Sequence, residues 1–289
     1  MTQLDTRLLI ETNELAERLD DPTLRLFDCT VVLEVGPDGV RIEPGRAGWE
    51  AAHIPGAGFL DLLGELADPA SRFHFMLPPP EQFAEVMSAH GVEDGTHVVL
   101  YDSRGGMWAA RTWWMLRAYG FDAAAVLDGG WTKWTLEGRP TSSEPPRHAR
   151  ASFEARPRAG VFVDKDAVLA AVADEKACLL NGLGADQHRG TGPTVAGGRP
   201  GRIPTSRSMP ALELVDPDTH VYLTADELRS RLEGVGAMDA DRVITYCGGG
   251  IAASAVAFAL KLVGRENVSV YDASLEEWAT DPSLPIETG

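Results

Sequence analysis

The segment Arg242-Val-Ile-Thr-Tyr-Cys-Gly-Gly-Gly-Ile-Ala-Ala-Ser-Ala-Val-Ala-Phe-Ala-Leu-Lys-Leu-Val-Gly264 reads as a buried strand, a tight loop opening at Cys247, and a helix that Gly264 ends in the left-handed conformation. Gly248, Gly249 and Gly250 let the loop curl so that successive backbone N–H groups turn inward, an anion-binding nest at a helix N-terminus. A β-branched side chain at Gly249 is expected to forbid that geometry. The thiolate is the nucleophilic form of cysteine, and the nest and helix dipole favour it without a neighbouring cation. Cys29, in Leu26-Phe-Asp-Cys-Thr30, and Cys178, in Ala177-Cys-Leu-Leu180, fall in predicted strands without such a loop and read as core thiols. Three cysteines without metal-ligand spacing argue against a disulfide framework and a zinc site, and no cofactor is expected.

Outward from this segment, the chain repeats itself. Val126-Leu-Asp-Gly-Gly-Trp-Thr-Lys-Trp134 lines up with Val270-Tyr-Asp-Ala-Ser-Leu-Glu-Glu-Trp278. His97-Val-Val-Leu-Tyr-Asp102 lines up with Arg242-Val-Ile-Thr-Tyr-Cys247, and His53-Ile-Pro-Gly-Ala57 with Arg202-Ile-Pro-Thr-Ser206. Three matches in one order, each displaced by about 145 residues, indicate a duplication. Short β-branched runs alternate in each half with helical patterns near residues 80–90, 109–119, 224–232 and 252–263. The predicted fold is therefore α/β, two tandem domains each built on a central, mainly parallel sheet flanked by helices. The proline-bearing, aperiodic stretch at 146–160 reads as a linker between an N-terminal domain (1–145) and a C-terminal one (161–289). The two predicted site strands should end centrally in separate sheets, with the site facing the cleft between the halves.

The chain has 289 residues, 44% hydrophobic and 24% charged, ordinary for a folded protein. With 43 acidic against 26 basic residues the formal charge is −17, which repels phosphate backbones and anionic headgroups, so neither nucleic acid nor a membrane surface is an expected partner. The first residues lack a basic and an apolar signal region, and the longest apolar stretch, residues 251–260, is too short for a bilayer; the expectation is a cytoplasmic protein. Trp113-Trp114 reads as core and interdomain packing, and the Glu276-Glu277 run as a solvated face.

The quoted segments, with Met76-Leu-Pro78, Ala110-Arg-Thr-Trp-Trp114 and Leu127-Asp-Gly-Gly-Trp131, resemble over nearly the whole chain the tandem-domain sulfurtransferases, thiosulfate sulfurtransferase (rhodanese) and 3-mercaptopyruvate sulfurtransferase. The resemblance implies that Cys247, in a loop completed by Gly248, Gly249, Gly250, Ile251 and Ala252, accepts a sulfane sulfur from a small anionic donor as a persulfide and passes it to a thiol or to cyanide. It also implies that the first half is catalytically silent, because Asp102 holds the nucleophile position and a carboxylate carries no persulfide.

The donor is read from departures from that pattern. Thiosulfate enzymes of the family tend to carry Arg and Lys after the cysteine, mercaptopyruvate enzymes Gly and a small hydroxyl residue. Gly248 resembles the latter, while Gly249 removes the hydroxyl that the family pairs with a histidine for proton transfer. His53 matches that histidine, and its acidic partner falls near Glu43 or Pro44. Gln187 stands where the family has a substrate-binding arginine, which leaves His188, Arg189, Arg199 and Arg202 as candidate cations for the donor. Because the loop holds no cation, mercaptopyruvate, with one carboxylate, is expected over doubly charged thiosulfate. Two alternatives belong beside this reading. Cysteine phosphatases need an arginine at the sixth position after the cysteine, where this chain has Ala253. A persulfide carrier or partner-binding module would keep Cys247 and lose the donor-binding arginine.

Overall fold

Leu9–Ile10, Ala124–Leu127, His97–Tyr101, Leu24–Asp28 and Gly58–Phe59 lie side by side in that order as one fully parallel sheet. Phe162–Val163, Val268–Tyr271, Arg242–Tyr246, Ala177–Asn181 and Arg207–Ser208 form a second, also parallel, in the corresponding order. The structure is a computed structural model that describes residues 4–36, 39–146 and 148–289. The two site strands thus end centrally in separate sheets. They are covered on both faces, which is why Val98-Val-Leu-Tyr101 and Val243-Ile-Thr-Tyr246 are apolar without alternation and at most 2% exposed.

The duplication extends to individual hydrogen bonds. The Ile54 N–H donates to the Tyr101 hydroxyl at 3.3 Å and the Ile203 N–H to the Tyr246 hydroxyl at 3.1 Å. Trp134 Nε1 donates to the Pro140 carbonyl at 2.8 Å, Trp278 Nε1 to that of Pro285 at 2.7 Å. One feature has no counterpart in the second half: the antiparallel hairpin of Val31–Gly36 with Gly39–Pro44. Alternating residues on either side of a Pro-Asp-Gly sequence are the hairpin's sign in the sequence.

The halves join through equivalent helices, Met107–Ala118 and Ile251–Leu262. Alanines at 253, 255, 257 and 259 keep the second helix slim and buried, so the large side chains of the first can close on it. Trp113 meets Phe258 edge-on at 5.1 Å between ring centroids, and Trp114 Nε1 donates across the junction to the Ser254 carbonyl at 3.0 Å. One hydrophobic core therefore runs through both sheets. The segment expected as a linker, of which Arg147 lies outside the described residues, straps the first half: the Arg156 and Arg158 N–H groups donate to the Tyr119 and Ala118 carbonyls, and Phe153 is buried. Among the described residues no helix is long and apolar enough to cross a membrane.

Candidate active site

Cys247 follows the central strand directly and is 2% exposed. Of the three glycines after it, only Gly250 needs to be glycine. It caps the helix with φ +82°, and a Cβ there would lie 2.8 Å from the Asp272 carbonyl oxygen and 3.0 Å from Arg111 Nη1. At Gly248 and Gly249 a Cβ would meet its nearest atoms at 3.5 Å, ordinary contact, with φ outside the left-handed region. The left-handed turn of the loop is made at the helix cap, Gly250, and the space at Gly249 admits a single Cβ. Gly250→Ala is expected to cost at least about 2 kcal/mol of stability and most of the sulfur-transfer activity, and Gly249→Ala to remain within a few-fold of wild type. Urea unfolding and steady-state assays of the two variants check this, and equal damage would refute it.

The loop is held from below. The Cys247 N–H donates to Ser274 Oγ at 3.1 Å, and that hydroxyl donates to the Tyr271 carbonyl at 2.8 Å. Leu275 and Glu276 N–H groups donate to the Cys247 and Gly248 carbonyls at 3.0 and 2.9 Å. Ser274 adopts φ +52° where its counterpart in the first half is Gly130, at φ +50°, so a strained non-glycine conformation is kept for the sake of that hydroxyl. The repeat alignment sets Ser274 against Gly130, which is the sequence signal of this hydroxyl's role.

In the first half the same loop shows what it binds. The N–H groups of Arg104 and Gly106 donate to Asp102 Oδ1 at 2.6 and 3.0 Å, those of Trp108 and Ala109 to Oδ2 at 2.8 and 2.9 Å. The carboxylate is an internal anion filling the nest. In the second half, where the loop is one residue shorter before its left-handed glycine cap, the N–H groups of Gly249, Gly250, Ile251, Ala252 and Ala253 have no protein acceptor among the described residues.

The electrostatic surroundings differ in the same sense. Asp28 ends the strand beside Tyr101, and burial, with the Asp102 charge adding, pushes its carboxyl up to about 6. The equivalent beside Tyr246 is neutral Asn181, whose Oδ1 accepts the Leu183 N–H as Asp28 Oδ1 accepts that of Thr30. No carboxylate at that position opposes a thiolate at Cys247. Beneath the loop lies Arg111, fully buried, from the first half. Its Nη2 is 2.6 Å from Asp272 Oδ1 and donates to the Phe75 carbonyl, and its guanidinium stacks 4.5 Å from the Phe162 ring centroid. Above it, Glu276 is 8% exposed, not part of a solvated face, and pairs with His74.

The remaining candidates lie around this centre at different depths. Gln187 lines a small hollow with Leu183, Val195 and Leu275, and Val195 is the residue against Gly248. Burial, then the Arg202 and Arg189 charges, lower His188 to about 4. Arg189 pairs with Asp186, and Arg199 donates to the Trp278, Ala279, Asp281 and Leu284 carbonyls. Arg202 reaches the Glu287 carboxylate and the Gly289 carbonyl. His53, fully buried, has Nδ1 2.6 Å from the Trp49 carbonyl and Nε2 3.0 Å from that of Glu144, all within the first half. It bridges to Ser142 as Arg202 bridges to Glu287. Glu43 pairs with Arg41 on the hairpin. Among the described residues no group of three or more His, Cys, Asp or Glu side chains is placed to hold a metal ion.

The duplicated parallel α/β fold matches known proteins. The chain belongs to the rhodanese family: the Rhodanese-like domain pattern covers residues 11–137 and 199–281. It is 34% identical over 260 residues to thiosulfate/3-mercaptopyruvate sulfurtransferase 2 of Arabidopsis thaliana, spanning 82% of this chain and 75% of that protein. It is 32% identical over 280 residues to the thiosulfate sulfurtransferase of Bos taurus, spanning 94% and 92%. The crystal structure of the 3-mercaptopyruvate sulfotransferase SseA from Escherichia coli superposes with a TM-score of 0.81 at 30% identity, over 91% of this chain and 97% of that one. Within the family, the protein is a sulfurtransferase with two rhodanese domains.

Proposed function

We propose that Cys247 takes a sulfane sulfur from a small anionic donor, 3-mercaptopyruvate in preference to thiosulfate, and passes it as a persulfide to a thiol or cyanide. The observation that carries this is the Asp102 carboxylate held by four backbone N–H groups, since the second-half counterpart offers unpartnered N–H groups beside a cysteine. Attack by the thiolate on the donor sulfur forms the S–S bond as the donor's S–C bond in mercaptopyruvate, or S–S bond in thiosulfate, breaks with its electron pair on the departing pyruvate enolate or sulfite, and the negative charge of the persulfide rests on its terminal sulfur. The loop N–H groups are placed to stabilise that charge as an oxyanion hole stabilises oxygen. Gly248, Gly249, Gly250, Ile251 and Ala252 supply this backbone, and Gln187 shapes the donor hollow.

The preference for mercaptopyruvate follows from charge. The loop from Cys247 to Ala252 has no cationic side chain, and Arg189, Arg199 and Arg202 already have acceptors, so the second negative charge of thiosulfate lacks a ready partner. Gln187 in place of a cation also favours a second reading, a carrier loaded by a partner protein. Intact mass after incubation with mercaptopyruvate or thiosulfate separates the two. A gain of about 32 Da on Cys247, one sulfur, from the small donor, with the larger kcat/KM for mercaptopyruvate, is expected. Loading only from a protein donor would establish the carrier, and a kcat/KM for thiosulfate equal to or above that for mercaptopyruvate would overturn the donor preference.

A further inference from the structure

We propose that His74, oriented by Glu276, is the proton carrier for sulfur abstraction from 3-mercaptopyruvate at Cys247; this rests on the persulfide reading above. Glu276 belongs to the loop's own framework, because its N–H donates to the Gly248 carbonyl at 2.9 Å and its Oε2 is 3.5 Å from where a Cβ on Gly249 would stand. Its side chain is 10% exposed and turned toward the other half of the molecule. There Oε1 is 2.6 Å from His74 Nδ1, and Oε2 accepts the His74 N–H at 3.0 Å. An ionised carboxylate only accepts, so Nδ1 carries the proton and Nε2 remains free to take or give one. The ring is 64% exposed, and Nε2 has no partner among the described residues.

This is the carboxylate–imidazole half of a nucleophile–base–orienter arrangement, set on the rim of the thiol loop where Gly249 leaves no hydroxyl. His53, in contrast, has both ring nitrogens against backbone carbonyls in a sealed site. Glu276 pairs with His74, Arg72 stands two residues before it over the Phe73 ring, and behind the Phe75 carbonyl lies the Arg111–Asp272 pair.

The chemistry defines the need. When the Cys247 thiolate attacks the thiol sulfur of mercaptopyruvate, the S–S bond forms and the S–C3 bond breaks with its electron pair left on C3 as an enolate. The thiol proton passes through Nε2 to C3, giving pyruvate and the persulfide anion. Inorganic polysulfide gives up sulfur by S–S cleavage, leaves a shorter polysulfide anion and needs no such proton.

The experiment compares wild type, His74→Ala, His74→Gln and Glu276→Gln with these two donors. With mercaptopyruvate, kcat is expected to fall about 100-fold in both His74 variants and about 10-fold in Glu276→Gln, with KM changed only a few-fold. Loading of Cys247 by polysulfide, followed by mass, should stay within about twofold. An unchanged kcat with mercaptopyruvate in His74→Ala, or an equal loss with both donors, which would mark a structural role, overturns the proposal. So does a wild type loaded by polysulfide but not by mercaptopyruvate. A wild-type Cys247 that takes sulfur from no donor instead sinks the persulfide reading itself.

Discussion

Cys247→Ser is expected to abolish sulfur transfer, by at least about a thousandfold in kcat, while Cys29→Ser and Cys178→Ser keep activity near wild type per folded molecule. Transfer requires a thiolate, and the surroundings of Cys29 and Cys178 oppose one. Cys29 is wholly enclosed, and burial, with the charges of Asp28 and Asp102 adding, drives its thiol far above the ordinary range. Burial pushes Cys178 up to about 11, and its Sγ contacts the Val235 carbonyl at 3.6 Å. Neither ionises appreciably near neutrality. Cys247 alone stands at a helix N-terminus among unpartnered N–H groups. Single-turnover transfer from mercaptopyruvate to a thiol, measured on the three variants, checks this. Comparable losses in all three would mean a relay of sulfur between cysteines and would sink the single-nucleophile account.

How far the site was legible follows from the range of the contacts that make it. The strand, loop and helix around Cys247 are encoded within some twenty consecutive residues, and the duplication gave the topology, since each half repeats the other's apolar runs. Three identical glycines carry no mark of which one takes the left-handed conformation; that is decided by where the helix begins, one residue after Gly250. Glu276 looked like a solvated acid because a short helix with two adjacent glutamates reads as a polar face. It is held by His74, about 200 residues earlier, from the other half of the chain. The partners of Arg111 are equally distant in sequence: Asp272 lies 161 residues later. The two halves form equivalent cross-contacts: the Leu77 N–H donates to Asp272 Oδ2 and the Tyr222 N–H to Asp128 Oδ1, both at 2.9 Å. Asp272 and Asp128 occupy the same place in the repeat, so the first half forms a wall of the Cys247 loop.

That wall can be tested at Arg111. Arg111→Met is expected to destabilise the protein by about 3–5 kcal/mol, because it leaves Asp272, 8% exposed at its side chain, as a buried charge without its cation. Arg111→Lys should recover little of this. The planar guanidinium contacts the Asp272 carboxylate, donates to the Phe75 carbonyl and stacks on Phe162 at once, and an ammonium is a point charge that cannot make all three contacts. Combining Arg111→Met with Asp272→Asn removes both charges together, so the double variant should be more stable than Arg111→Met alone, the sign of a coupled pair. The effect should also reach the chemistry. Phe75 packs against Gly249 and precedes the Leu77 contact to Asp272, so loosening it shifts His74 away from Glu276 and lowers kcat with mercaptopyruvate. Urea unfolding of wild type, Arg111→Met, Arg111→Lys, Asp272→Asn and the double variant gives the stabilities and the coupling. A loss below about 1 kcal/mol in Arg111→Met, or strict additivity in the double variant, would show that the buried pair does not hold the two halves of the site together.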